Sequence, residues 1–223
     1  MTEVPWWPVR RRDRASAEPV SAALVVEASL SLLRSGGVDA LSMRKVAAEL
    51  GVSVSTVYWW AGNKEQLLGM VADAVHGRIE LPTPDLGAPW VEQLREYAER
   101  SFDTYRAHAF VLPIITRGVL TGPRTLDVVE CGLVILGHAG FTRADAVAAQ
   151  SALAALILGF VRPAGAEAGR DSWTQGHRLD ELDADRWPAI VGAAGELHDV
   201  DDAARFRYAL DVFLTGLAVR ATS

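Results

Sequence analysis

Between Met43 and Trp60 the chain reads MRKVAAELGVSVSTVYWW, and the order of small and apolar residues there admits few folds. Ala47 stands four residues before Gly51, and Val57 follows six after it. Where two short helices cross closely, only a small side chain lets the backbones approach, and Ala47 fills that place. Gly51 falls in the turn, where a left-handed backbone is cheap only without a Cβ. Val46 and Leu50 lie four apart on the first helix, Val57 and Trp60 three apart on the second, so both pairs face one small core with Val52 beside it. Outside remain Ser53, Ser55, Thr56, Tyr58 and Trp59, a polar and aromatic set sized to enter a DNA major groove. A helical hairpin used only for packing has similar spacing, so the flanking sequence must decide between the two.

The chain has 223 residues, half of them apolar, which suits one or two compact units with a substantial core. No run approaches the eighteen or more uncharged apolar residues of a membrane span, and MTEVPWWPVRRRDR lacks the continuous apolar stretch of a secretion signal. A cytoplasmic protein without membrane contact is expected. The single cysteine, Cys131, forbids an intrachain disulfide and sits in apolar VVECGLVIL as a small core residue. Net charge is −6, yet residues 1–80 are balanced at nine basic and nine acidic, so the deficit falls wholly in residues 81–223. A DNA reader needs a local positive surface, not a basic total, and an acidic second unit would point away from the phosphates.

Helical periodicity runs throughout and no alternating strand pattern survives, so the fold class is all-α. Residues 1–18, with Arg10, Arg11, Arg12 and Arg14, read as a mobile basic arm. A first helix is expected from Pro19 to the stop at Gly36-Gly37, a second behind Ser42 as N-cap, a third behind Ser53 and a fourth behind Asn63 running to about Gly77. LPTPDLGAP, residues 81–89, is the boundary candidate. It divides a three-helix helix-turn-helix domain (19–80) from a helical ligand-binding and dimerisation domain (81–223). There, helices are expected over Trp90–His108, over Phe110–Leu120 under strain from Pro113, and over Pro123–Ala139. More follow from Thr142 to Phe160, from about Asp185 to Leu197 and from Asp201 to Ala218, with residues 162–183 a loop. The helices near 142–160 and 201–218 are apolar over more surface than a small core needs. Paired across a two-fold axis they would form a four-helix bundle and hold a homodimer together.

The run G-x5-S-x-R-x-x-A-x-x-L-G-V-S-x-x-x-x-Y-x-x-x-x-x-K-x-x-L-L, carried by residues 32–68, resembles the tetracycline-repressor (TetR) family of bacterial transcriptional regulators. A fainter similarity continues through VEQLREYAERSFDTYRAH, Gly122-Pro123, HAGFTRADA and FRYALDVFLTGLAVR, and resembles the regulatory domain of the tetracycline-repressor branch. The resemblance implies that the helix after Ser42 crosses the DNA backbone and the next enters the major groove. Arg44 matches a position that places a guanidinium on a guanine edge. Thr56, Tyr58 and Lys64 match phosphate-contacting positions, Ser42 could offer a hydroxyl and an N–H to a phosphate, and Val54 and Ser55 match variable base-reading positions. Ser53 and Trp59 complete the candidate DNA surface. Trp60 departs from the His or Phe common in relatives, which removes the phosphate contact expected there.

The same resemblance implies a cavity for a largely apolar small-molecule effector, with Tyr97, Ser101, Tyr105, His108, Thr116 and Arg117 as candidate lining residues. ITRGVL lacks the histidine that a magnesium–tetracycline complex would need, so tetracycline itself is not expected. His76, His108, His138, His177 and His198 form no i, i+4 pair; no metal site and no cofactor are expected. The function implied is a homodimeric repressor released from a palindromic operator by its effector. An activator of the same family, and a helical protein-binding adaptor without DNA binding, are the alternatives. No nucleophile elbow, glycine-rich phosphate loop or carboxylate pair supports an enzyme.

Overall fold

The computed structural model describes residues 20–117, 122–161, 179–198 and 201–221. The arm expected over residues 1–18, and most of the loop expected over 162–183, lie outside the described residues. All regular structure among the described residues is helical. Helix α1 (Ala22–Ala40) begins after Ser21, whose hydroxyl accepts the Leu24 N–H, and not at Pro19. It is broken at Gly36-Gly37, where Gly37 takes φ 67°, and one further turn leads to Leu41. The glycine stop is thus a kink inside a longer element.

Helices α2 (Met43–Leu50), α3 (Val54–Ala61) and α4 (Lys64–His76) follow, with Ser42, Ser53 and Asn63 as N-caps accepting the N–H groups of Lys45, Thr56 and Gln66. Gly51 closes α2 at φ 65°, the left-handed conformation that the turn demands. Val46, Ala47 and Val57 are fully buried and Trp60 half-buried, so α2 and α3 share the small core with Leu33 of α1 and Leu67 of α4.

The second half is a bundle of α5 (Trp90–Ala107), α7 (Pro123–His138), α8 (Arg143–Phe160) and α11 (Asp202–Ala221). Leu94, Ile135, Leu153, Leu210 and Leu214 are buried at its centre. Phe102 of α5 stacks on Phe206 of α11 with centroids 4.1 Å apart. Pro113 does not strain a long helix. It occupies the first turn of the short α6 (Leu112–Ile115), after a 3-10 turn at Ala109–Val111, where a missing N–H costs nothing. The single helix expected over 185–197 is two pieces, α9 (Pro188–Gly192) and α10 (Ala194–His198). Pro188 opens the first, and Gly192, a poor helix former, ends it. By length and composition only α8 among the described helices could cross a membrane, and it packs here on α5, α7 and α11. The two halves meet along α4, which lies against α1 and α3 on one side and α6 and α7 on the other.

Candidate nucleic-acid interface and ligand cavity

At the tip of the first half, the N-terminus of α3 carries three hydroxyls in one cluster. Ser53 Oγ accepts the Thr56 N–H and lies 2.8 Å from Ser55 Oγ and 2.9 Å from Thr56 Oγ1. Helix N-termini present unpaired N–H groups and positive potential, so such a cluster suits a phosphate or a base edge. Ser55, Tyr58 and Trp59 are exposed, with Trp59 held edge-to-face against Trp60 at 4.5 Å. Tyr58 and Trp59 thus present an aromatic surface on the same short helix as the hydroxyl cluster. Arg44 is exposed on α2 and Ser42 half-buried beside it. Val54 is half-buried and packs against the core. Lys64 Nζ donates to the Val38 carbonyl at 3.2 Å, which pins the ammonium over the kink of α1.

In the second half a cavity of about 220 Å³ opens between α4, α5, α7 and α8. Of the candidate lining residues, Tyr97, Ser101 and Tyr105 border it. His108, Thr116 and Arg117 do not. His108 closes α5, where its Nδ1 meets the Thr104 carbonyl at 2.8 Å and its Nε2 meets Arg78 at 2.6 Å. Arg78 in turn pairs with Glu27, so the imidazole belongs to the α1–α5 junction. Thr116 is exposed and returns its hydroxyl to the Leu112 carbonyl, and Arg117 is exposed just beyond α6.

Three polar residues that sequence reasoning missed do line the cavity: His76 of α4, Thr125 of α7 and Gln150 of α8. Thr125 Oγ1 lies 2.8 Å from His76 Nδ1 and donates to Asp73 Oδ1 at 3.1 Å, while the Thr125 N–H donates to the same oxygen at 2.9 Å. Asp73 thereby caps the N-terminus of α7 from another helix, because Gly122 at the cap position has no side chain to do so. A Cβ on Gly122 would stand only 2.2 Å from the Asp73 carboxyl carbon, so the glycine is what admits the carboxylate. Burial raises the Asp73 pKa, opposed by the Thr125 hydrogen bonds, and lowers that of His76 to about 4.

Gln150 is buried, and its Nε2 donates to the Tyr97 hydroxyl at 2.8 Å. Its Oε1 has no hydrogen-bond partner among the described residues. The amide fills the notch left by Gly132, whose Cβ would fall 2.1 Å from Oε1. One signal for it existed in the sequence: a lone amide inside the apolar run AVAAQSALAALIL. The remaining lining is largely apolar, with Val128, Ile157 and Leu158 among it.

Residues 25–71 match the family described as bacterial regulatory proteins, tetR family, and residues 83–221 match the tetracyclin repressor-like C-terminal domain. An HTH-type transcriptional regulator of Saccharopolyspora erythraea is 31% identical over 75% of this chain and 72% of its own. The class D tetracycline repressor of Escherichia coli is 29% identical, with 89% of each chain covered. Among solved structures, apo ActR of Streptomyces coelicolor superposes with a TM-score of 0.81 at 27% identity, covering 93% of this chain and 99% of that one. ActR in complex with actinorhodin gives a TM-score of 0.80, with 92% and 100% covered.

Proposed function

The chain belongs to the tetracycline-repressor (TetR) family of bacterial transcriptional regulators, and from that premise we propose that it is a homodimeric repressor released from a palindromic operator by a small molecule. The observation that carries the proposal is the position of α4. One helix packs against the reading head and also supplies His76 to the cavity wall. A ligand that moves His76 moves the head. Among the described residues α4 joins the cavity wall to the helices of the helix-turn-helix.

In this reading residues 19–80 form the DNA-binding unit and residues 81–223 the ligand and dimer unit. Arg44 reads a guanine edge, Val54 and Ser55 help choose the bases, and Ser42, Ser53, Thr56, Tyr58, Trp59 and Lys64 contact the backbone or fix register. Two heads would read half-sites one or more DNA turns apart, about 34–36 Å per turn. The pairing surface is the outer face of α8 and α11, where Val147, Tyr208, Val212 and Val219 are exposed beside a shallow groove. An apolar face of that extent on two neighbouring helices fits a second copy forming a four-helix bundle.

Release follows only from differential affinity. To pass from 99% bound-competent to 1% the ligand must favour the released conformation by about 5.5 kcal/mol. Selection of bound fragments from genomic DNA by the purified protein, followed by mobility shift on the recovered duplex, tests the proposal. One palindromic sequence class should emerge, and Arg44→Ala should weaken binding to it while leaving the dimer intact. Equal binding to all duplexes at moderate salt would sink it.

A further inference from the structure

If α3 enters the major groove, as the regulator reading has it, the side chains of that helix decide which bases it selects. The eight residues Val54–Ala61 include no charged side chain and no amide. The pairings that fix a base by two hydrogen bonds, Arg or Lys on guanine and Asn or Gln on adenine, are therefore closed to α3, as is a carboxylate accepting from cytosine. The hydroxyls of Ser53, Ser55 and Thr56 are bonded to one another, and a hydroxyl meets a donor or an acceptor alike. They carry little choice of base. Val54 is half-buried against the core.

What α3 turns outward is aromatic: Tyr58 is 48% exposed and Trp59 39%. Trp59 follows the exposed Ser55 by four residues, so the two share one side of the helix. Tyr58 carries a hydroxyl suited to a phosphate, whereas the indole has one donor and no acceptor. Adenine, guanine and thymine all present acceptors in the major groove, so the indole N–H alone does not separate an A·T pair from a G·C pair. The ring face does, because the thymine 5-methyl is the one methyl group that unmodified base pairs display there. Trp59 is also held in place: its ring stands edge-to-face on Trp60, at 4.5 Å and 88°, and Trp60 packs against the core. A ring oriented before DNA arrives loses little freedom on binding.

We propose that Trp59 does more than fix register: its indole packs on a thymine 5-methyl group, so that each operator half-site carries an A·T pair opposite α3 in addition to the guanine assigned to Arg44. The inference rests on the regulator reading and deepens it. Helix α2 then reads by hydrogen bonds from its exposed Arg44, and α3 by apolar contact. Cytosine in place of that thymine removes the methyl group and sets an amino donor beside an indole that has nothing to accept it with.

Competition mobility shifts of the full chain on the duplex recovered by genomic selection test this, with each thymine of both half-sites replaced in turn by deoxyuridine, which lacks only the methyl group. One buried methyl is worth about three- to fourfold, so one symmetric pair of replacements should weaken binding by about tenfold. At that position 5-methylcytosine should be bound about threefold or more tighter than cytosine. In Trp59→Ala the thymine and uracil duplexes should bind within about twofold of each other, whereas Arg44→Ala, weaker on both, should keep the wild-type ratio. Irradiation of the wild-type complex with 5-iododeoxyuridine at that position should crosslink Trp59, and this carries the test if Trp59→Ala fails to fold or bind. Uracil tolerated at every position within about twofold, a uracil penalty unchanged in Trp59→Ala, or a crosslink on another residue overturns the proposal. Equal binding to all duplexes refutes the regulator reading and this inference with it. An operator whose thymine methyl groups are immaterial refutes this inference alone.

Discussion

Gly132→Ala should be destabilising in the native chain and stabilising once Gln150 is gone. In α7 the added Cβ would fall 2.1 Å from Gln150 Oε1 and 2.7 Å from its Cδ, so the amide must leave its notch. It then gives up the hydrogen bond to Tyr97, about 1 kcal/mol. It also carries a buried amide to a place with no prepared partner, a further ~1–3 kcal/mol. Against this, Ala exceeds Gly by about 1 kcal/mol in a helix interior. The balance is a loss of about 1–3 kcal/mol. With Gln150→Ala the collision is absent, and only the helix-propensity gain of up to about 1 kcal/mol remains. For a chain of this size each kcal/mol moves the melting temperature by about 2–4 °C. Gly132→Ala should therefore lower Tm by roughly 2–12 °C alone and raise it by up to about 2–4 °C in the Gln150→Ala background. Circular dichroism melts at one fixed protein concentration measure both, since association makes Tm depend on concentration. If the substitution shifts Tm in the same direction in both backgrounds, the notch does not hold the amide as described.

Three further outcomes follow from the same structure. His76 binds its proton less well folded than unfolded, with a pKa near 4 against an ordinary 6.5. Its contribution to stability is full above about pH 6.5 and is lost as pH falls toward 4, about 3 kcal/mol in all. Asp73, raised by burial, acts in the opposite sense by taking up a proton in the folded state first, which offsets part of that loss at the acid end. Urea midpoints measured from pH 7.5 to 4.5 should fall in the wild type and flatten in His76→Gln; a flat wild-type profile contradicts the buried neutral imidazole. Asp73→Ala should cost about 0.5–2 kcal/mol by uncapping α7, and hydrogen exchange should accelerate at the first turn of that helix; unchanged protection there would show that Asp73 is not the cap. Ala152→Glu places a carboxylate in the α8–α11 groove and should yield monomers in sedimentation, with operator binding weakened accordingly. Persistence of the dimer would move the pairing surface elsewhere.

The reading head was legible from the sequence because what shapes it is local. Ser42, Ser53 and Asn63 each bond an N–H three residues away, and Gly51 takes its left-handed turn for want of a Cβ. Such signals lie within one helical turn, so residue order alone exposes them. The resemblance placed Tyr97, Ser101 and Tyr105 among the lining candidates, and the structure brings those three residues of α5 to the cavity wall.

The polar chemistry of the cavity was not legible, because it depends on which helices meet. Thr125 reaches His76 across 49 residues and Gln150 reaches Tyr97 across 53. No spacing rule connects positions so far apart. The resemblance also put His108 and Thr116 among the lining candidates, and local carbonyls and Arg78 hold these side chains away from the cavity wall. The absent side chains matter as much: Gly122 before α7 and Gly132 within it give no sign in the sequence of the space that Asp73 and Gln150 occupy. Local hydrogen bonding wrote the head into the order of residues, whereas close packing between distant helices decided which side chains the cavity offers to a ligand.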